Sequence, residues 1–371
     1  MEFHKILLTG ATGTVGQHVL FELLKSVVNI EGSLISLLVR PKGGLTSEMR
    51  IRNILTSQNV PDYIKSIPVE YMMAKIEFLE LDLDTMKLND LEFLKREDNI
   101  CVIHCAASVS LDSTEETENT LRLTNYIASV KLLRACSSFV AKYVFVSTAF
   151  SCGRREGFVD EDYLSHEQTD FRNNYEMYKY KVEKDVESFC TENKIPFQIH
   201  RPSVVCGRLI DPPLFYTPKM NVFYGFTKFF HMIAETTYGT QSLRIKAAPS
   251  TSMSNVIPVD YVAKAIVRAI NMDDIVQMNL VSSIAVPLSI SLSKMIEING
   301  FRNYQIVDEI PEDMNMLEAI YYNQLGDVGS PYLHDVSYEF DARTVRRVLQ
   351  DIEEPDIIAQ IDEILEVVKE D

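Results

Sequence analysis

Two tyrosine–lysine pairs stand in one short stretch, Asn174-Tyr-Glu-Met-Tyr-Lys-Tyr-Lys-Val-Glu-Lys184. Tyr175 and Lys179 are four residues apart, and so are Tyr180 and Lys184, so on a helix each pair shares a face one turn apart. A phenol with a reference pKa of about 10 is a poor proton donor and acceptor at neutral pH. An ammonium beside it favours the phenolate and lowers that value, which suits such a pair to moving a proton. Upstream, an apolar run over 143–147 leads into Thr148-Ala-Phe-Ser-Cys-Gly153. A hydroxyl at that strand end, from Thr148 or Ser147, can hydrogen-bond a carbonyl oxygen.

These groups need a frame, and the start of the chain supplies its first unit, Lys5-Ile-Leu-Leu-Thr-Gly-Ala-Thr-Gly-Thr-Val-Gly-Gln17. The run 6–8 reads as a buried strand, and Val15, Val19, Leu20, Leu23 and Leu24 recur at helical spacing after the glycines. Strand, glycine turn and helix open a nucleotide-binding α/β fold. Gly10 permits the tight turn, Gly13 lets backbone amides approach a pyrophosphate, and Gly16 allows close helix–strand packing. Thr12, Thr14 and Val15 complete the phosphate loop, and the helix start presents its partial positive charge. A second strand over 34–39 ends in Arg40-Pro41-Lys42. Folds that prefer NAD place an acidic residue there for the ribose hydroxyls. Arg40 and Lys42 instead suit a 2′-phosphate, so NADPH is expected over NAD, with Arg50 or Arg52 as alternative contacts. A third strand, 75–82, ends at Asp82-Leu83. A fourth, 100–104, runs into Cys105-Ala106-Ala107-Ser108, small residues that let the backbone pass beneath a cofactor. His104 reads as a satisfied core histidine. A long helical pattern follows over 115–139, and a sixth strand over 196–201 continues as Pro202-Ser203-Val204-Val205.

The Gly-x-x-Gly-x-x-Gly spacing resembles that of the short-chain dehydrogenase/reductase superfamily. Leu7-Leu-Thr-Gly-Ala-Thr-Gly, Leu37-Leu-Val-Arg40, Val102-Ile-His-Cys-Ala-Ala107, Phe145-Val-Ser-Thr-Ala-Phe150 and Val256-Ile-Pro-Val-Asp-Tyr-Val262 narrow the resemblance to one extended branch. That branch holds the fatty acyl-CoA reductases of the male-sterility type and the terminal thioester reductases. The resemblance covers roughly residues 5–290. It implies Thr148, Tyr175 and Lys179 as catalytic residues, because Glu183 stands four after Lys179 as in the family, whereas Ser188 stands four after Lys184. Lys179 would also hold the nicotinamide ribose. Asp82 would meet the adenine amino group, Asn125 would support a contact near the site, and the backbone of 202–205 would flank the nicotinamide. Asp260 is expected to cap a helix or orient loops. Tyr178 departs from the Ser common before the lysine.

Composition bounds the rest. A net charge of −17 over 371 residues argues against a broad basic surface for nucleic acid or anionic membranes. No apolar run reaches the roughly 20 residues needed to span a bilayer. Six cysteines without a Cys-x-x-Cys pair read as buried free thiols, with no metal site. With no secretory signal at the N-terminus, a cytoplasmic setting is expected.

The fold expected is α/β, a Rossmann-type doubly wound parallel sheet with a smaller, mainly helical lobe. Residues 1–210 plus 252–287 would bind the nucleotide, and 211–251 plus 288–371 the substrate. In the lobe Phe215, Val222, Phe223, Phe226, Phe229, Phe230 and Ile233 form an apolar stripe, which either lines an acyl channel or packs a small core. Arg208 and Arg244 could meet a phosphate. Helices are expected over 288–299, 313–324, 341–351 and 355–370, the last as a solvated cap, and 157–174 as an exposed excursion. The reading is an NADPH-dependent reductase of an acyl thioester, carried by coenzyme A or an acyl carrier protein, giving an aldehyde or alcohol. A nucleotide-sugar epimerase, dehydratase or reductase, and a non-catalytic NADP sensor, are the alternatives.

Overall fold

The computed structural model describes residues 3–370 apart from 33, 97–98, 156, 166, 221–222, 235, 237–240, 249 and 335–337; Val222 of the apolar stripe lies outside the described residues. Short runs of Ile, Leu and Val, buried on both faces, form the central strands. They are β1 (Lys5–Thr9), β2 (Leu34–Leu38), β3 (Ile76–Leu79), β4 (Ile100–His104), β5 (Val140–Val146), β6 (Phe197–Pro202) and β7 (Gln277–Leu280). The spatial order is β7-β6-β5-β4-β1-β2-β3, and every neighbouring pair is parallel. β1 lies between β2 and β4, so the winding reverses there and a crevice opens at the strand C-termini. This is the doubly wound Rossmann-type architecture. Strand β7 escapes a reading of apolar runs because Gln277 and Asn279 alternate with Met278 and Leu280.

The helices that bear on the site are α1 (Thr14–Val27), α2 (Glu115–Leu121), α3 (Ala128–Cys136), α4 (Asn174–Asn193), α5 (Phe223–Ala234), α6 (Val259–Ala269), α7 (Leu288–Glu297), α8 (Met316–Tyr321) and α9 (Asp327–His334). The expected helix over 115–139 is not continuous. A π-helical turn, Arg122–Ile127, separates α2 from α3. The main core joins the sheet to α1, α3, α4 and α6. A second cluster, including Phe229, Phe230, Leu292, Phe301 and Tyr321, fills the lobe. A third links Phe223, Val256 and Met295 to Ile361, Ile364 and Leu365 near the C-terminus.

Three expectations about the periphery are corrected. The 157–174 stretch is no free excursion, because Gly157–Val159 pairs in parallel with Tyr338–Phe340 and buries Val159, Tyr163 and Leu164 in the main core. Residues 338–349, assigned to the lobe by the sequence, return to that same core through Tyr338, Phe340, Val345 and Val348. The C-terminal segment is likewise no solvated cap: Ile357, Ile361, Ile364, Leu365 and Val368 are buried in the third cluster. Apolar positions spaced three and four apart among acidic residues drive that packing.

Candidate active site

A cleft of about 950 Å³ follows the strand C-termini. Its floor at one end is the glycine turn. Gly10 has φ +76°, and a Cβ there would lie 2.7 Å from the Ala106 amide nitrogen. A Cβ on Gly16 would sit 2.2 Å from the Gly10 carbonyl oxygen, so α1 can approach the turn only with glycine there. Thr12, Gly13, Thr14 and Val15 also line the cleft, and no side chain caps the start of α1. Its first amides are thereby left for an anion.

At the end of β2, Arg40, Lys42 and Arg50 line the same cleft. Arg50 donates to the Thr12 hydroxyl at 3.2 Å and to the Arg40 carbonyl at 2.5 Å. Arg52 instead pairs with Glu70 and Glu48, away from the cleft. Arg40 is half exposed and bonds Asp82 at 2.7 Å, with Asp84 at 3.7 Å. Burial pushes the Asp82 carboxyl up, but the bonds from Arg40 and the Asp84 amide hold it below its ordinary range. Leu83, Ala106, Ala107 and Ser108 form the next part of the wall, followed by Ser147, Pro202, Ser203, Val204 and Val205. The Ser203 hydroxyl turns to Asn255 at 2.7 Å. The Ser147 hydroxyl is buried on the wall without a protein partner.

Asn125 is the one expected cofactor contact that does not line the cleft. The π-helical turn aims it at the backbone of Ser108, where Oδ1 accepts from the amide and Nδ2 donates to the carbonyl, both at 2.8 Å. It holds the cleft wall from behind. His104 is structural as expected, bridging Thr9 at 2.7 Å and Ser129 at 2.8 Å. Burial and the neighbouring Lys179 charge lower it to about 3, so it stays neutral. Asp260 accepts amides from Leu209, Ile210 and Asp211 and so orients that loop.

Thr148, Tyr175 and Lys179 all line this cleft. Thr148 caps the short turn Ala149–Cys152 that closes β5. Asn173 caps α4 through the Glu176 amide at 3.0 Å, which sets Tyr175 in the first turn. Lys179 is buried one turn on, donates to the Val146 carbonyl at 2.8 Å and lies 4.7 Å over the Phe145 ring. Burial lowers its ammonium to about 8. The expectation that Lys179 lowers Tyr175 is overturned, since burial and then the Glu176 carboxyl raise the phenol instead. The ammonium is committed to the Val146 carbonyl and the Phe145 face, not to the phenol. The second pair does not reach the cleft. The Tyr180 hydroxyl accepts from the Gln168 amide at 3.1 Å, and Lys184 bonds Leu164 and Glu187.

The same cleft is also lined by the apolar residues Phe150, Phe223, Phe226, Leu288, Met295 and Leu333. The stripe on α5 thus divides: Phe223 and Phe226 face the cleft while Phe229, Phe230 and Ile233 pack the lobe core. Arg208 and Arg244 face no cleft. Arg208 is buried, donating to the carbonyls of Pro213 and Asn59, and Arg244 is held by Glu318 and Asp313. Lys219, exposed and on the cleft wall, is the cation on this side. Phe150, Lys219 and Tyr332 were not foreseen; Phe150 could have been, two residues after Thr148. All six cysteines are free, five of them buried and Cys105 half-buried. Among the described residues no cluster of His, Cys, Asp and Glu could hold a metal ion, and no helix is long and apolar enough to cross a membrane.

Comparison with known proteins places this geometry. The family model described as Male sterility protein matches residues 8–266. Fatty acyl-CoA reductase 1 of Gallus gallus is 33% identical over 165 residues, covering 42% of this chain and 30% of that protein. Fatty acyl-CoA reductase 2 of Homo sapiens is 29% identical over 150 residues, covering 39% and 28%. The match therefore spans under a third of these relatives' length. Among solved structures, the terminal R domain of the myxalamid PKS-NRPS biosynthetic pathway covers 100% of this chain and 91% of its own, with a TM-score of 0.72 at 20% identity. UDP-glucuronic acid 4-epimerase from Bacillus cereus, in complex with UDP-glucuronic acid and NAD, covers 99% of both chains, with a TM-score of 0.64 at 17% identity. Those two likenesses show the fold, whereas the family model spans most of the chain. The chain belongs to the male sterility protein family, within the extended, NAD(P)-binding short-chain dehydrogenases/reductases.

Proposed function

We propose that the protein is an NADPH-dependent reductase of an acyl thioester, coenzyme A-linked or carrier-linked, yielding an aldehyde. The observation that carries the reading is the set of apolar residues Phe150, Phe223, Phe226, Leu288, Met295 and Leu333 lining the same cleft as Tyr175. An acyl chain buries favourably there, whereas a sugar's hydroxyls would lose their hydration against it. The residues fit the cofactor: the glycine cradle admits no Cβ at Gly10 or Gly16, and the uncapped α1 start suits a pyrophosphate. Bound NADPH would supply the hydride. Tyr175 would give a proton to the carbonyl oxygen while the Thr148 hydroxyl holds it, and Lys179 would hold the nicotinamide ribose. The hemithioacetal so formed would then lose the carrier as its thiol, the C–S bond breaking and the hydroxyl proton passing to sulfur, to leave the aldehyde. Lys219 is the cation available to a phosphate of the thioester carrier. Residues 211–251 with 288–334 form the substrate side. The test is NADPH oxidation measured in parallel against acyl-CoAs, acyl carrier protein thioesters, aldehydes and nucleotide-sugars. Oxidation only with nucleotide-sugars would replace this reading by an epimerase-type one.

Selectivity for NADPH rests on Arg40 and Arg50. The double substitution Arg40→Ser with Arg50→Ser is expected to raise KM for NADPH about 10- to 100-fold, the range of one or two charge-assisted hydrogen bonds. KM for NADH should barely move. An equal loss for both cofactors would remove the 2′-phosphate assignment.

A further inference from the structure

Beside the cleft lies a buried polar cluster to which proton transfer gives no task. Glu176 follows Tyr175 in the first turn of α4 and is fully buried. Its Oε2 accepts from the Arg172 amide at 3.0 Å, and Arg172 Nη1 lies 3.4 Å from Oε1. The Tyr332 hydroxyl donates to Oε1 at 2.7 Å and accepts from Asn173 Nδ2 at 2.7 Å. Arg172 also donates to the Gly153 carbonyl at 3.1 Å. Its guanidinium lies over the rings of Tyr332 and Tyr338, at 5.6 and 5.4 Å. Tyr332 belongs to α9, in the lobe. Its ring lines the cleft and meets Phe150 edge-on at 5.6 Å, two residues after Thr148.

One side chain of the lobe therefore touches the cap of the catalytic helix, the residue next to Tyr175 and the turn that carries Thr148. We propose that Tyr332 and Glu176 are positioning residues through which the lobe governs the proton donor Tyr175; this rests on the reading of Tyr175 as that donor. A buried carboxylate is costly unless it is paired and hydrogen-bonded, and here two partners from different elements supply both conditions. The groups facing Glu176 are Arg172 from the preceding segment, Tyr332 from α9, Tyr338 from its strand and Cys152 from the turn after Thr148. Burial drives Glu176 toward its neutral form, and Arg172 and Tyr332 oppose this. While ionised, the carboxylate keeps Tyr175 protonated, adding to the effect of burial. A substrate seated against the Tyr332 ring thereby acts on the acid that will protonate it.

Glu176→Gln keeps the shape and removes the charge. The alkaline limb of the kcat profile should then move to lower pH by roughly half a unit to one unit, as expected for loss of a like charge, with KM for NADPH unchanged. Tyr332→Phe keeps the ring and removes the hydroxyl. It should lower kcat about five- to tenfold, the effect of one hydrogen bond to a charged group. That effect should shrink in the Glu176→Gln background, where the carboxylate it serves is gone. An unmoved alkaline limb in Glu176→Gln, or fully additive effects in the double variant, would overturn the proposal. If the protein binds NADPH but reduces no thioester, the functional reading fails by itself. Ultraviolet difference titration of the Tyr175 phenol, taken against Tyr175→Phe, then decides the pair. Titration at lower pH in Glu176→Gln supports it, and an unchanged midpoint overturns it.

Discussion

Tyr175→Phe is expected to lower kcat for NADPH-dependent reduction by about 10²- to 10⁴-fold, the usual contribution of a positioned general acid. The phenyl ring remains, so the half-buried wall, the Asn173 cap and the Glu176 cluster stay in place. Cofactor affinity should stay close to that of the unaltered protein, because the glycine turn and Lys179 are untouched. Tyr180→Phe is the paired control. Its hydroxyl accepts a loop amide from Gln168, and its ring packs on Phe171 at 5.4 Å, off the cleft. It should cost about 1 kcal/mol of stability, as for one neutral hydrogen bond, and little of kcat. Stopped-flow measurement of NADPH oxidation, with cofactor affinity read by fluorescence, separates the two. Full turnover in Tyr175→Phe would remove the assignment of the proton donor.

The distinction between the two tyrosines shows which parts of this protein a sequence can disclose. The glycine turn, Tyr175 with Lys179, and Thr148 near Gly153 are local patterns. Each needs only one strand–turn or one helix to take its place, and the residues of these local patterns line one cleft. Asn125 stands off the cleft lining and bonds the Ser108 backbone from a π-helical turn, and its neighbours Thr124 and Tyr126 carry no signal for such a turn. Arg208, read as a possible phosphate contact, is buried instead and donates to the carbonyls of Pro213 and Asn59, partners distant in sequence that its own neighbours do not disclose. Tyr332 was invisible for a different reason. Its bond to Glu176 closes a gap of 156 residues, and nothing around it repeats or alternates. Lys179 lines the cleft, but its hydrogen-bond partner was not foreseen. Its ammonium turns to the Val146 carbonyl, a backbone contact that side-chain spacing cannot reveal.

Arg201→Met should produce the largest loss of stability, about 3–5 kcal/mol, the cost of stranding one partner of a buried ion pair. Both Arg201 and Glu183 are fully buried, with Arg201 Nε 3.0 Å and Nη2 2.9 Å from Glu183 Oε2. Arg201 also donates to the Glu161 carbonyl at 2.7 Å and to Gln277, and lies 3.8 Å over the Tyr163 ring. Glu183 stands one turn after Lys179 on α4 and accepts from the Ser151 hydroxyl at 2.6 Å. Ser151 belongs to the turn that Thr148 caps, so this ion pair clamps α4, β6 and the Thr148 turn together. Removing the guanidinium leaves a fully buried carboxylate without its cation, with the Ser151 hydroxyl still donating to it. Adding Glu183→Gln should restore much of the loss, because an amide keeps a hydrogen-bonding oxygen for Ser151 without the unpaired charge. Urea unfolding of the single and double variants measures both effects. An Arg201→Met protein with an unchanged midpoint would mean that the pair contributes nothing net. A double variant no better than Arg201→Met would place the loss in the stack on Tyr163 and the bonds to Glu161 and Gln277. The position four residues after Lys179 would then serve as an anchor for those contacts more than as a charge.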